Sequence, residues 1–267
     1  MTAHETVRID ADGRAFDIEY AWVGERGDAE AIVFLHEGLG SRAMWRDYPQ
    51  RLCEALRMRG LVFSRPGYGQ STPRGAAERW PVDFMHRQAR HVLPALFEAL
   101  HVPSRPWLFG HSDGGSIALL YAAMFPASVA GVIAVAPHLF VEDVSVRSIA
   151  AAKSAYEQGD LRAKLARYHA DVDSAFRGWN DIWLDADFRQ WNIEAEIRAI
   201  RCPVLGVQGE ADEYGTMAQI DRLAVLVPQV RLVKLAACGH SPHRDQPGAL
   251  TDAVVDFVST ADARLPQ

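Results

Sequence analysis

The chain has 267 residues, 49% hydrophobic and 23% charged, with 20 glycines and 14 prolines. These are globular proportions: they exclude a collagen-like, coiled-coil or disordered chain, and the length allows one or two domains whose core needs no disulfide or metal staple. Lys and Arg number 28 against 34 Asp and Glu, a net charge of −6 that argues against a phosphate-tracking nucleic-acid binder.

The opening Met-Thr-Ala-His-Glu-Thr has no basic and no apolar leader region, so no signal peptide is expected there. The longest apolar stretches, 117–125 and 130–137, are too short to span a bilayer. Cys53, Cys202 and Cys238 sit in apolar contexts and cannot all pair, which suggests reduced, buried thiols in a cytoplasmic protein.

In chain order, a strand at 6–10 and the turn Asp12-Gly13 lead into a second strand. There Phe16, Ile18, Tyr20 and Trp22 alternate with Asp17, Glu19 and Ala21. A polar loop follows at 24–30. Short continuous apolar runs then recur at 31–35, 61–64, 107–110, 132–136, 204–208 and 230–235, as in a parallel sheet buried on both faces. Helices are predicted between them at 45–57, with Pro49 in the first turn, and at 82–100, kinked by Pro94. Further helices are predicted at 114–125, 216–227 and 248–259. The stretch 141–199 has no convincing strand and reads as a helical lid or cap carrying Trp179, Trp183 and Trp191.

The strongest chemical signal is Gly110-His111-Ser112-Asp113-Gly114 between a buried strand and an apolar helix, the pattern of a nucleophile elbow. A serine hydroxyl is a poor nucleophile and needs a base oriented by a carboxylate. His240 follows the last apolar strand and Asp212 the one before it. With Ser112, both therefore fall at carboxyl ends of parallel strands, where open α/β sheets gather their sites. Glu210 and Glu213 flank Asp212, which is preferred for its offset from Gly209. The small-residue loop His36-Glu37-Gly38-Leu39-Gly40 can bring a backbone N–H beside that of Asp113 to form an oxyanion hole.

On these motifs the chain resembles a serine-dependent α/β-hydrolase. The His36 loop ending in Trp45, the turn Gly67-Tyr68-Gly69-Gln70-Ser71, the Ser112 elbow and the Asp212/His240 pair match in order. The resemblance implies a mostly parallel eight-stranded sheet with helices on both faces, a core of 1–140 and 200–267, and a cap at 141–199. It further implies Ser112 as nucleophile, His240 as base, Asp212 as its orienting acid, and the Gly38 and Asp113 amides as oxyanion donors. The chain departs from the family in reading His36-Glu37-Gly38 where His-Gly is usual, which leaves the first donor open by one residue, and in carrying Ser64 where an Asp is usual.

The expected function is acyl transfer through an acyl-enzyme on a small ester, lactone or related substrate, without cofactor or metal. Carbon–carbon bond hydrolysis of a vinylogous diketone acid, cofactor-independent dioxygenation and non-catalytic ligand binding are the alternatives on this scaffold. Metal-dependent hydrolysis through His36, Glu37, His240 and His243 is disfavoured, because no two-histidine helical motif or cysteine pair accompanies them. Trp179, Trp183 and Trp191 are expected to contact substrate. Glu37 is either a further contact or turned away from the reacting oxygen and paired with a base such as Arg65. The expected partner is a small-molecule substrate, with no nucleic acid and no membrane; a homo-oligomer is possible.

Overall fold

A computed structural model describes residues 5–24 and 30–262. The alternating segment forms the expected hairpin. β1 (Glu5–Ala11) pairs antiparallel with β2 (Arg14–Gly24), setting Val7 opposite Ile18 and Ile9 opposite Phe16. Asp12 and Gly13 both have positive φ, at 53° and 74°, as a two-residue hairpin turn requires. Most of the polar loop expected at 24–30 lies outside the described residues.

The six apolar runs become β3 (Ala31–Leu35), β4 (Arg59–Phe63), β5 (Trp107–His111), β6 (Gly131–Val135), β7 (Val204–Gly209) and β8 (Val230–Leu235). They form one eight-stranded sheet in the order β1-β2-β4-β3-β5-β6-β7-β8. Apart from the antiparallel β1–β2 and β2–β4 pairs, all pairings are parallel. Continuous hydrophobicity follows from burial on both faces: β3 sends Ile32 and Phe34 into a layer with Tyr48, Leu52 and Val254, and Val33 and Leu35 into one with Leu93, Ile117 and Leu120. β8 departs from this pattern. As an edge strand it is only partly buried, and Arg231 and Lys234 pair with Asp256 and Asp221.

The expected helices occur as Tyr48–Leu56, a continuous run over 84–99, Asp113–Met124, Ala218–Leu226 and Pro247–Asp262. The run over 84–99 is π-helical at Gln88–Val92. The wider π-turn stands just before Pro94, where the ring has no N–H to give to the helix ladder. Cys53, Cys202 and Cys238 are buried and unpaired.

Between β6 and β7 the described chain contains helices at Asp143–Gln158, Leu161–Leu165, Val172–Trp183 and Glu194–Ile197, with only an isolated bridge between Phe140 and Asn192. Asn180 donates to the Ile149 carbonyl at 3.0 Å, tying two of these helices together. Ser145 and Ser148 donate to the carbonyls of Tyr214 and Glu213, both at 2.5 Å, tying the first helix to the loop after β7. No helix among the described residues is long and apolar enough to cross a membrane.

Candidate active site

Ser112 sits between β5 and the Asp113–Met124 helix with φ 53° and ψ −122°, a backbone state that L residues rarely adopt. The turn is tight enough to exclude side chains on both flanks. A Cβ on Gly110 would lie 2.2 Å from the Gly114 carbonyl oxygen, and one on Gly114 would lie 2.1 Å from that of Leu35. The strain presents the hydroxyl above the sheet's carboxyl edge, beside the N-terminus of the buried helix.

The loops after β7 and β8 bring Asp212 and His240 to the same place. Ser112 Oγ is 2.9 Å from His240 Nε2, and His240 Nδ1 is 2.9 Å from each Asp212 carboxylate oxygen. Asp212 also accepts from the amides of Tyr214 (2.8 Å) and Gly215 (3.1 Å) and from the Gln208 side chain (3.2 Å). Burial would raise its pKa, but the His240 hydrogen bond and charge together with the Tyr214 amide outweigh it and hold the carboxyl below its ordinary range. Glu213 takes a different part: its carboxylate accepts from the His240 backbone amide at 3.2 Å.

The loop after β3 is fixed through one carbonyl. The Glu37 C=O accepts from His36 Nδ1–H at 2.7 Å, the Arg65 guanidinium at 2.9 Å and the Gly40 amide at 3.0 Å. His36 accepts the Arg65 amide on Nε2 at 2.9 Å, which fixes its tautomer. Three donors hold the Glu37 carbonyl in place, and the Gly38 N–H, on the other side of the same planar peptide, points the opposite way. Gly38 and Asp113 both line the cavity over Ser112. The Gly67–Ser71 turn buttresses this loop and does not line the cavity: Tyr68 packs its ring edge-on against His36, centroids 5.1 Å apart.

Glu37 is not paired through its side chain with Arg65. Its carboxylate faces His111 Nδ1 at 3.5 Å and Arg244 at 3.6 Å, while Arg65 holds the Glu37 carbonyl and faces Asp113 at 3.8 Å. The reason is depth: the Arg65 and Asp113 side chains are each 1% exposed, so each needs the other's charge. Burial opposes ionisation of Glu37, but His111, His243 and Arg244 prevail and keep its pKa well below the usual range. The departure at Ser64 is likewise compensated. The Ser64 hydroxyl donates to the buried Glu19 carboxylate at 2.7 Å and accepts from the Arg42 amide at 2.9 Å, while Arg42 and the Gln70 amide also bind Glu19.

A cavity of about 150 Å³ opens over Ser112, walled by Leu39, Ile149, Trp179, Trp183 and Tyr214. Trp179 is packed so closely over the loop after β3 that a Cβ on Gly38 would lie 2.1 Å from its indole nitrogen. Trp191 does not reach the cavity: it stacks on Phe188, centroids 5.4 Å apart, behind Trp183. Leu39, Ile149 and Tyr214 were not foreseen as walls, and neither was a second histidine. His138, just beyond β6, has Nε2 at 3.5 Å from Ser112 Oγ. Its position past a strand's carboxyl end was the available signal.

The chain is 27% identical over 261 residues to the polyketide synthase ThaQ of Burkholderia thailandensis, covering 87% of this chain but only 12% of that protein. It is 21% identical over 272 residues to the monoacylglycerol lipase ABHD6 of Homo sapiens, covering 90% of this chain and 79% of that one. In fold it resembles a solved carboxylesterase structure from Nitrososphaera gargenis, with a TM-score of 0.77 at 18% identity over 97% of this chain and 100% of the other. Residues 32–253, most of the chain, match the family described as "Alpha/beta hydrolase family". With that match, the eight-stranded sheet and the strained serine turn, the protein is a member of the alpha/beta hydrolase family.

Proposed function

We propose that the protein is a serine hydrolase that cleaves small acyl substrates, esters or lactones foremost, through a covalent intermediate on Ser112. The observation that carries this reading is the unbroken chain of 2.9 Å contacts from Ser112 Oγ through His240 to Asp212. With His240 Nδ1–H donating to Asp212, Nε2 is free to take the Ser112 proton as Oγ attacks the carbonyl carbon. The Gly38 and Asp113 amides receive the oxyanion, and the helix N-terminus adds favourable potential. His240 then returns its proton to the leaving group, and a water, activated by the same base, releases the acid. The helical segment at 141–199 acts as the cap over this site. Its apolar residues Ile149, Trp179 and Trp183, in a cavity of about 150 Å³, favour short acyl groups.

The test is labelling with a serine-directed fluorophosphonate. The wild type should be modified at Ser112 and lose esterase activity together, and Ser112→Ala should take no label. A wild-type enzyme that turns over esters while resisting the reagent would overturn the acyl-enzyme and favour base chemistry at His240 alone, as dioxygenation would use.

A further inference from the structure

Beside Ser112 stands a second imidazole that the mechanism above does not use. His138 is clamped through its backbone: its N–H donates to Ser116 Oγ at 3.0 Å, and the Ser116 hydroxyl returns a bond to its carbonyl at 2.7 Å. Ser116 lies one turn beyond Ser112 on the same helix. The ring packs edge-on against Trp183, centroids 4.8 Å apart, and lines the cavity. Its position is thus fixed by contacts that use neither ring nitrogen, and Nε2 meets only Ser112 Oγ, at 3.5 Å.

Nδ1 is buried with no hydrogen-bond partner. An orphaned buried N–H is rarer and costlier than an orphaned lone pair, so the proton belongs on Nε2, which faces Ser112 Oγ and the cavity. The groups facing the ring are His240, His111 and Asp212. Burial first, then the charges of His240 and His111 against that of Asp212, push its pKa down to about 3. The ring is therefore a neutral donor throughout the working range of an esterase. Among the described residues, no Lys or Arg lines the cavity to meet a substrate carboxylate: Arg65 is turned to Asp113, and Glu37 contributes negative charge.

We propose that His138 is a specificity-determining residue whose Nε2–H donates to a neutral acceptor oxygen, such as an ether, hydroxyl or keto oxygen within two bonds of the scissile carbonyl. The preferred substrates are then oxygen-substituted acyl esters. This rests on the reading of Ser112 as nucleophile.

The probe is a pair of 4-nitrophenyl esters, methoxyacetate and butanoate, in which an ether oxygen replaces a methylene at equal length. The ratio of their kcat/KM values is measured in the wild type, in His138→Phe, which keeps a ring against Trp183, and in His138→Gln, which keeps a donor. Intrinsic ester reactivity and general packing loss cancel in the comparison. The methoxyacetate preference should fall about 5- to 10-fold in His138→Phe, the worth of one neutral hydrogen bond, and recover in part in His138→Gln. In the wild type it should stay constant from about pH 5 to pH 9. A ratio unchanged in His138→Phe, or one that titrates in that range, overturns the proposal. If His138→Phe shows no cooperative melting, His138→Asn, too short to reach, replaces it under the same criteria. Wild-type rates in Ser112→Ala would instead defeat the nucleophile assignment; an inactive Ser112→Ala with an unchanged ratio defeats only that of His138.

Discussion

The indole N–H of Trp183 donates to the Asp113 carboxylate at 3.2 Å, joining the segment between β6 and β7 to the residue that follows Ser112. Burial pushes the Asp113 carboxyl up to about 6, with Arg65 and this indole acting in the opposite direction. Trp183→Phe keeps most of the surface and removes the donor. It should cost about 1–2 kcal/mol in urea unfolding at pH 8. The sign with pH is fixed. Because the folded value lies above the ordinary 3.8, native stability falls as pH rises between the two, and losing the indole raises the folded value further. The deficit should therefore be smaller near pH 5, where the carboxyl is largely protonated, and equal midpoints of mutant and wild type at pH 8 would refute the role.

His36 holds the Glu37 carbonyl and hence the direction of the Gly38 amide. His36→Phe removes one of three donors and leaves the Arg65 amide without its acceptor. A drop in kcat of about 10- to 100-fold is expected, with little change in KM, because a misaimed oxyanion donor is felt mainly in the transition state. His36→Asn, which places an amide nitrogen near the Nδ1 position, should recover part of the rate. A loss expressed only in KM would mean the loop shapes binding instead.

Gly38 has no room for a methyl group under Trp179. Gly38→Ala should lower turnover by at least tenfold, and adding Trp179→Ala to it should restore activity relative to the single mutant. Such sign-reversed coupling is expected only of groups in direct contact. If the double mutant is worse than either single, the clash is not what disables Gly38→Ala.

For the proposed triad, Ser112→Ala and His240→Ala should each cost several powers of ten in kcat, and the double mutant should be little worse than either, as expected of groups that act as a unit. Asp212→Asn should lose about 10⁴-fold by disturbing the His240 tautomer, whereas Glu213→Gln, which touches only the His240 amide, should lose far less. Steady-state kinetics on one activated ester suffices to check all of these.

The sheet was legible because buried parallel strands leave continuous apolar runs, and Ser112, Asp212 and His240 were legible because each stands at the end of such a run. Trp179 and Trp183 could be nominated as large apolar groups, but Trp191 carries the same signature and faces Phe188 instead. Aromatic composition does not encode which face of a packed segment turns inward. The Glu37 carboxylate meets Arg244 and His111 and not the Arg65 offered as an example of a base, because the charge of Arg65 is taken up by Asp113, a pairing set by depth below the surface. His138 carried only the signal of its place past β6; its backbone clamp and ring position arise when β6 and the Asp113–Met124 helix lie side by side.

The contact between Ser64 and Glu19 makes the residue tolerated at either position depend on the other. Glu19 is 3% exposed and ionised: burial opposes the charge, but the Gln70 amide, Ser64 and Arg42 together hold its pKa below the ordinary value. The acid that family resemblance would place at position 64 is thus supplied from β2. Restoring the usual residue by Ser64→Asp would set a second carboxylate within reach of the first, where one of them must take up a proton or the turn must open. A substitution toward the residue that the family resemblance implies should destabilise this protein, and it would become tolerable only after Glu19 had been neutralised.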